Sequence, residues 1–348
     1  MRRPVFMHIV EALGNWSPYF RLRRDAFGKV GLSPLQKCTA AIRMLSYGSP
    51  ADLMDETFGV AESTASLECL AMFAEGVRVL FGPQYLRSPT DGDVKRLHAR
   101  GEDRGFLGML GSLDYMHWEW GMCPVAWKGQ FTRGDHGVPT IMLEAVASED
   151  LWIWHAFFGV AGSNNDINVL NQSPLFTKVL QGRAPEVKFT INGSEYNMGY
   201  YLADSIYPEW ATFVKTIPLP QSEKDQLYAQ KQEGVRKDVE RAFGVLQKCW
   251  AIIRQPASLW DRDEVAEIMY ACIILHNMIV DDERGENLDH IYEEGRHAQS
   301  MRGLAHGPIH GFTAVLERNK EIRERSTHQR LKEDLVEHIW QRFKPDGE

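Results

Sequence analysis

The stretch GSLDYMHWEW, residues 111–120, decides how this chain is read. Its short apolar run ends on Asp114, as if to present a carboxylate at the end of a strand. YYLADSIYPEW (200–210) carries a second such run to Asp204, and RKDVERAFGVLQ (236–247) places Glu240 within a helical periodicity. Two carboxylates at strand ends and a third on a facing helix can converge on a pair of divalent cations, Mg²⁺ or Mn²⁺. Such a site polarises a phosphodiester and activates a water or hydroxyl for in-line attack. Each acid taken singly reads as solvated surface, the usual place for Asp and Glu. The order of elements around them is what sets these three apart.

Strand signals fill residues 111–216. LGSLDYMHW, PTIMLEAVAS and LWIWHAFFGVAG follow one another closely, the last two joined across Glu149–Asp150 as a tight hairpin. INVLNQSPLFTKVL (167–180) reads as helix. EVKFTINGSEYNMGYYLAD contains an Asn192–Gly193 hairpin turn before the Asp204 strand, and ATFVKTIPL is one more short strand. A long helix is expected from about Glu223 to Trp250, with Val235, Val239, Ala242, Phe243 and Leu246 as its buried stripe and Glu240 at the border of that stripe. DEVAEIMYACIILHNMIVDDE (263–283) reads as a helix packed inside. This order, with acids on the first strand, on the strand after the first helix and on the last long helix, predicts an α/β fold. Its catalytic core would be RNase H-like, a mixed sheet flanked by helices, over residues 111–283.

Residues 1–86 read as all helix. One segment opens at Ser33–Pro34. A short helix through Leu53, Met54 and Phe58 precedes a longer one with Ala65, Leu67, Leu70, Phe73, Val77 and Leu80 inward, the outline of a helix-turn-helix. Its second helix carries Glu62, Glu68 and Glu75 against Arg78 alone, where groove readers present Arg, Lys, Asn or Gln. A helical packing module explains it as well. Residues 87–110 read as a polar connector. Residues 284–348 form a loosely patterned stretch to 315 and a closing amphipathic helix, KEDLVEHIWQRF (332–343).

Of 348 residues, 44% are hydrophobic and 25% charged, a globular composition with ample core. No apolar run reaches membrane-spanning length, and the opening MRRPVFMHIVEALG lacks the pattern of a secretory leader, so neither is expected. The five cysteines are scattered without a C-x-x-C pair, as in reduced cytosolic or nuclear proteins. The net charge of −8 argues against a chain that coats nucleic acid nonspecifically, but not against a nuclease with local basic patches. The patches are RRP (2–4), RLRR (21–24) and the group Lys178, Arg183 and Lys188; solvated surface is the bland account of each. Lys128 and Arg133, in the Gly-containing loop WKGQFTRGDHG, suit phosphate gripping beside the acids. Arg236, one turn before Glu240, either contacts DNA or pairs with that acid. Trp118 reads as core, His117 as a candidate phosphate contact, and His276–Asn277 as a satisfied buried polar pair.

At these residues the chain resembles the PIF/Harbinger transposase family, in particular its plant transposase-derived nucleases of the DDE endonuclease superfamily. The resemblance runs nearly end to end, through MRRPVFMHIVEAL, SPLQKCTAAIRMLSYGSPADLMDETFGVAESTA, the stretch 111–176, YNMGYYLADSIYPEWATFVKTI and RKDVERAFGVLQ. Thirty-five residues, 205–239, separate Asp204 from Glu240, the spacing the resemblance asks for. It implies a catalytic and metal-binding triad of Asp114, Asp204 and Glu240, with Asp166 in GSNNDINVL as an auxiliary acid; helix N-capping is the alternative for Asp166. It further implies Mg²⁺ or Mn²⁺ dependence, hydrolysis or strand transfer of DNA phosphodiesters, and a nuclear location with a cytoplasmic share. A Myb-like DNA-binding protein is the implied partner, and a homo-oligomer is compatible with the resemblance. Tyr115 stands where the family usually has Cys, Ser205 where it usually has Gly, and Lys248–Cys249–Trp250 replaces a more basic segment. No N-terminal extension of the family's usual kind is expected ahead of Arg2.

Two rival readings come from other classes. A glycosidase would use two carboxylates without metal, but the strand–strand–helix placement argues against it. A domesticated, catalytically silent transposase would keep the fold and act as a chromatin-associated or DNA-associated regulatory protein.

Overall fold

The computed structural model describes residues 1–24, 26–48, 64–134, 137–284 and 312–344. The first-strand stretch forms β1 (Met109–Glu119), which continues five residues past Asp114. It pairs antiparallel with β2 (Thr140–Ala147), and β2 pairs antiparallel with β3 (Ile153–Ala161). On its other side β1 runs parallel to β6 (Tyr200–Ala203), which is parallel to β7 (Phe213–Lys215), giving the sheet order β3-β2-β1-β6-β7. The β1–β6 ladder shifts register at Met109/Gly111 and ends at Ser112↔Leu202. A Cβ at Gly111 would meet the Ala147 carbonyl oxygen at 2.8 Å, so this bulge, where β1 takes a partner on each side, requires glycine.

The separate hairpin β4 (Phe189–Ile191) and β5 (Ser194–Tyr196) turns on Asn192 (φ 49°) and Gly193 (φ 85°). Positive φ at both central residues is what Asn-Gly supplies in a two-residue hairpin. The helix read over 167–180 is broken. α6 (Asp166–Gln172) stops before Pro174, and a single turn, α7 (Thr177–Leu180), follows.

Helices cover both faces of the sheet. α8 (Glu223–Cys249) starts at Ser222, whose side chain accepts from the Asp225 N–H, and Glu223 and Asp225 fill its first turn. α9 (Arg262–Glu283) is capped by Asp261 and is buried along most of its length. α1 (Arg3–Trp16), α2 (Pro34–Tyr47) and α3 (Thr64–Tyr85) join α8, α9 and one face of the sheet in one hydrophobic cluster that runs from Val5 to Val280. The Ser33 capping box, Pro34 and the left-handed Gly48 fix the two ends of α2.

Within α3, Leu70, Phe73 and Val77 are buried as expected, but Leu67 is 44% exposed. Arg78, the only cation on its would-be reading face, lies 2.5 Å from Glu267 of α9. The short helix through Leu53, Met54 and Phe58 lies outside the described residues, as does Glu62. So does most of the loosely patterned stretch, residues 285–311.

Residues 87–110, read as a connector, contain a helix, α4 (Asp91–Asp103), closed by a Thr90–Asp93 capping box. Its two glycines imitate a turn in sequence. Gly101 is instead a packing position, where a Cβ would stand 2.6 Å from the Phe106 carbonyl oxygen. At the end of the described chain, α10 (Phe312–Ile322) precedes α11 (Arg325–Phe343), which packs on α8 and β7 and starts earlier than its apolar pattern suggested.

Both outer strands are held by side chains. At β3, Asn277 of α9 accepts from the Ile153 N–H (2.9 Å) and donates to its carbonyl (2.8 Å), and Tyr270 accepts from the Phe158 N–H. Asn277 also donates to the Tyr85 carbonyl, so it is the satisfied buried group expected, with His276 bonded to the Leu151 carbonyl. At β7 and just beyond, the carbonyls of Phe213, Val214, Lys215 and Thr216 accept from His328, Gln232, Tyr228 and Lys332.

Candidate functional site

Asp114 lies on β1 two residues beyond the last rung of its ladder with β6, opposite Ala145 of β2. Asp204 directly follows β6. Both acids therefore stand where the parallel pair comes apart, and neither needs a loop of its own to reach that point. Glu240 comes from α8, which is tied to β1 by a hydrogen bond from the buried Ser112 hydroxyl to the Val235 carbonyl (3.1 Å).

Arg236 links two of the three acids. Its Nη1 lies 3.2 Å from Asp114 Oδ2 and its Nη2 lies 2.8 Å from Glu240 Oε1. Of the two readings of Arg236, pairing with an acid is the one seen, and it extends to a second acid on another element. Burial pushes the Asp114 carboxyl above its ordinary range. The Tyr115 N–H and Arg236 pull it back, while the charges of Glu240 and Asp204 add to the rise. Repulsion among clustered acids is thus present, but desolvation is the larger cause.

Asp204 Oδ1 accepts from the Ser205 N–H (2.6 Å) and lies 3.3 Å from its hydroxyl. Ser205 is not among the positive-φ residues, so this turn has no need of the glycine usual there.

Asp166 is the first residue of α6, and the cap is Asn165, which accepts from the Asn168 N–H. Its carboxyl is therefore not spent on capping. Burial raises its pKa; Arg133 lowers it and Asp204 raises it further, which places all three in one electrostatic neighbourhood. Lys128 is exposed at the start of a single helical turn, α5 (Lys128–Phe131), and approaches none of the three acids in an ion pair. His117 bonds to the Thr140 hydroxyl through Nδ1 (2.9 Å), and Trp118 is buried as core with its indole N–H donated to the Gln255 carbonyl.

Carboxylate oxygens are the hard donors that Mg²⁺ and Mn²⁺ prefer, so the donor chemistry of Asp114, Asp204 and Glu240 fits a divalent cation. Their spacing is looser than a closed cage. Among the described residues, no three His, Cys, Asp or Glu side chains are grouped closely enough to hold one ion. Arg236 supplies positive charge between two of the acids.

Several residues that support this site carry no motif. Gln232, fully buried on α8, donates to the carbonyls of Ala203 (3.2 Å) and Val214 (3.2 Å), fixing the residue that precedes Asp204. Asp238, also fully buried, takes both guanidinium arms of Arg104 (2.5 and 3.2 Å) and pairs with Arg241. Both are polar residues at helical spacing within the stripe of Val235, Val239 and Ala242, and that is the signal that would have found them.

On the other face of the sheet, the Tyr115 hydroxyl lies 3.0 Å from both Glu144 Oε2 and the Asp166 carbonyl oxygen. Its ring stacks on Tyr207 at 5.8 Å between centroids. Glu144 is fully buried and accepts from Ser173 (2.5 Å) and His155 (3.1 Å) as well. Ser173 and Glu144 both meet His155 at Nε2, so these three do not form the relay of a nucleophilic triad, which uses opposite ring nitrogens.

No helix among the described residues is long and apolar enough to cross a membrane. A family model described as plant transposon protein matches residues 83–287. A curated relative from Arabidopsis thaliana, Protein ALP1-like, is 26% identical over 259 residues, which is 72% of this chain. The chain spans 62% of that relative's length. No solved structure matches. The chain belongs to the plant transposon protein family, the Harbinger type of transposase-derived protein that its sequence resembles.

Proposed function

We propose that this chain is a metal-dependent nuclease of the DDE type, with an RNase H-like core, that cleaves or transfers strands at DNA phosphodiester bonds. The observation that carries the reading is the meeting of Asp114, Asp204 and Glu240 in one field of charge where β1 and β6 part, with Arg236 bridging Asp114 and Glu240. The sheet order, with β1–β3 antiparallel and β6 and β7 parallel to β1, supports the RNase H-like assignment.

In this reading Asp114, Asp204 and Glu240 hold Mg²⁺ or Mn²⁺, which would polarise the phosphodiester and lower the pKa of the attacking water or hydroxyl. Ser205 meets Asp204 at Oδ1 through both its N–H and its hydroxyl, which orients the carboxylate. Asp166, with its pKa raised, is the auxiliary acid. Arg133, beside it, holds a phosphate, and Lys128 extends the cationic approach. A cation held by these acids would take over the charge balance that Arg236 supplies to Asp114 and Glu240, which would free the guanidinium for a DNA phosphate. A Myb-like protein supplies sequence choice, and the nucleus is the place of action.

The test is nicking of supercoiled plasmid by the full chain and by Asp204→Asn, with Mg²⁺ or Mn²⁺, alongside thermal unfolding with and without metal. Metal-dependent nicking and a metal-induced rise in Tm, both lost in Asp204→Asn, are expected. Unchanged nicking by the variant would place the chemistry elsewhere. One observation favours a second reading, a silent DNA-associated regulator: the Arg236 guanidinium balances the charges of both Asp114 and Glu240. DNA binding with neither nicking nor a metal-induced rise in Tm would select it.

A further inference from the structure

The basic residues Lys178 and Arg183 lie beside a cavity that the acidic site does not use. This cavity, of about 350 Å³, lies between the sheet, the segment 175–187, the 197–199 turn and α10. Small-ligand sites begin at roughly this size, about 300 Å³. Trp154, Phe176 and Tyr201 give it aromatic walls, with Leu175, Val179 and Met198 between them.

One buried polar group on its lining is left without a partner among the described residues. Thr212 is 2% exposed, and its hydroxyl has no hydrogen-bond partner among the described residues. A buried, unsatisfied hydroxyl is costly, and a ligand atom is one way to satisfy it. His155 commits Nε2 to Glu144 and Ser173, which leaves Nδ1 for a ligand.

The cavity opens into an outer cleft that shares Ser88, Pro89, Lys178 and Ala184–Glu186 with it and adds Thr90, Asp91 and Arg183. Lys178 and Arg183 are exposed and form no ion pair among the described residues, whereas Glu186 is engaged by Lys188 at 2.8 Å. An inner compartment with aromatic walls and a few hydrogen-bonding groups suits a planar heteroaromatic ring. An outer one with two free cations suits a phosphate.

We propose that this paired cavity and cleft bind a single nucleotide, with the base within reach of Trp154, Phe176, Tyr201 and Thr212 and the phosphate at Lys178 and Arg183. The site stands apart from the three acids and does not depend on their chemistry. The nucleotide is either free or extruded from a DNA strand, as enzymes that need a base out of the stack require.

The probes are deoxyadenosine monophosphate, titrated calorimetrically into the metal-free full chain, and a duplex with one 2-aminopurine, followed by its fluorescence. Saturable binding of the mononucleotide is expected. It should weaken by about tenfold or more in Lys178→Ala/Arg183→Ala, since two charge-assisted contacts are removed at exposed positions. The near-isosteric Thr212→Val should weaken it too. Asp204→Asn should bind as the parent does, so the nucleotide site and the nuclease reading fail separately. A 2-aminopurine signal that changes on binding and is reversed by the mononucleotide identifies an extruded base; mononucleotide binding without that signal identifies a free nucleotide. No saturable binding of either probe, or binding indifferent to both variants, would overturn the proposal.

Discussion

Arg236 Nη1 lies 3.2 Å from Asp114 Oδ2, so a guanidinium carried by α8 balances a carboxylate on the central strand of the sheet. The pair is largely but not fully buried, at 17% and 25% side-chain exposure. Removing the arginine leaves Asp114 facing Glu240 and Asp204 with only the Tyr115 N–H to compensate. Arg236→Ala should lower metal-free stability by about 1–2 kcal/mol, less than the ~3–5 kcal/mol of a fully buried pair, because water still reaches both acids. Mg²⁺ should then raise the Tm of the variant more than that of the parent. Equal metal-induced shifts would show that Arg236 and metal do not compete.

Asp238 offers a contrast between two arginines on one acid. Arg104→Ala removes the bidentate partner of a fully buried carboxylate and should cost about 3 kcal/mol in urea unfolding. Arg241 is 55% exposed, so Arg241→Ala should cost under about 1 kcal/mol. Similar losses in both variants would mean that Arg104 is not the dominant partner.

Tyr115 has two separable roles. Tyr115→Phe keeps the ring stacked on Tyr207 and removes the hydroxyl shared by Glu144 and the Asp166 carbonyl. With one donor to a buried carboxylate lost, roughly 1–3 kcal/mol of stability should go. Tyr115→Cys, which installs the residue usual in the family, should cost more because the stacked ring goes as well. A cysteine variant as stable as the phenylalanine variant would mean that the stack contributes little.

Acid should weaken the fold through its buried histidines. Burial is the largest cause holding the pKa of His276 and of His328 below the ordinary 6.5. Below pH 6.5 the unfolded chain takes up these protons while the folded chain resists them. Stability is therefore complete above that pH and falls as the pH drops toward the lower folded values. Unfolding free energies at pH 7.5 and 5.5 should differ, and His276→Gln should shrink the difference. An unchanged difference in the variant would clear His276 of the effect.

The isolated chain should bind duplex DNA weakly, at about 10⁻⁴–10⁻⁶ M at physiological salt, because a net charge of −8 leaves few counterions to release. Arg78, held by Glu267, adds little to α3 as a groove reader. Titrations against random and terminal-repeat duplexes at two salt concentrations test this. Tight, sequence-selective binding by the chain alone would refute it.

The parts of the fold legible in the sequence were those written in local chemistry. Asn192–Gly193 specifies its hairpin through two positive φ angles, and Ser33–Pro34 and Gly48 mark the ends of α2. The run ending at Asp204 is a strand in the structure as in the pattern, whereas the strand through Asp114 continues to Glu119 because β2 keeps pairing with it. α4 was hidden by its two glycines, one of which, Gly101, serves packing against Phe106. At the site, Arg236 and Glu240 were legible as a pair one turn apart, but the reach from Arg236 to Asp114 was not. Nor were the grip of Gln232 on Ala203 or the burial of Glu144, since contacts between distant segments leave no period in the sequence.

The side chains on the outer strands bear on how this molecule can associate. An uncovered strand offers its backbone to any passing chain, and aggregation by strand addition starts at such margins. Here Asn277 and Tyr270 occupy backbone groups of β3, while His328, Tyr228 and Lys332 take carbonyls along β7 and the residue after it. Both margins are thus partly occupied, which makes the sheet less suited to being lengthened by another chain. Any assembly with a second copy would then fall to the helices and loops.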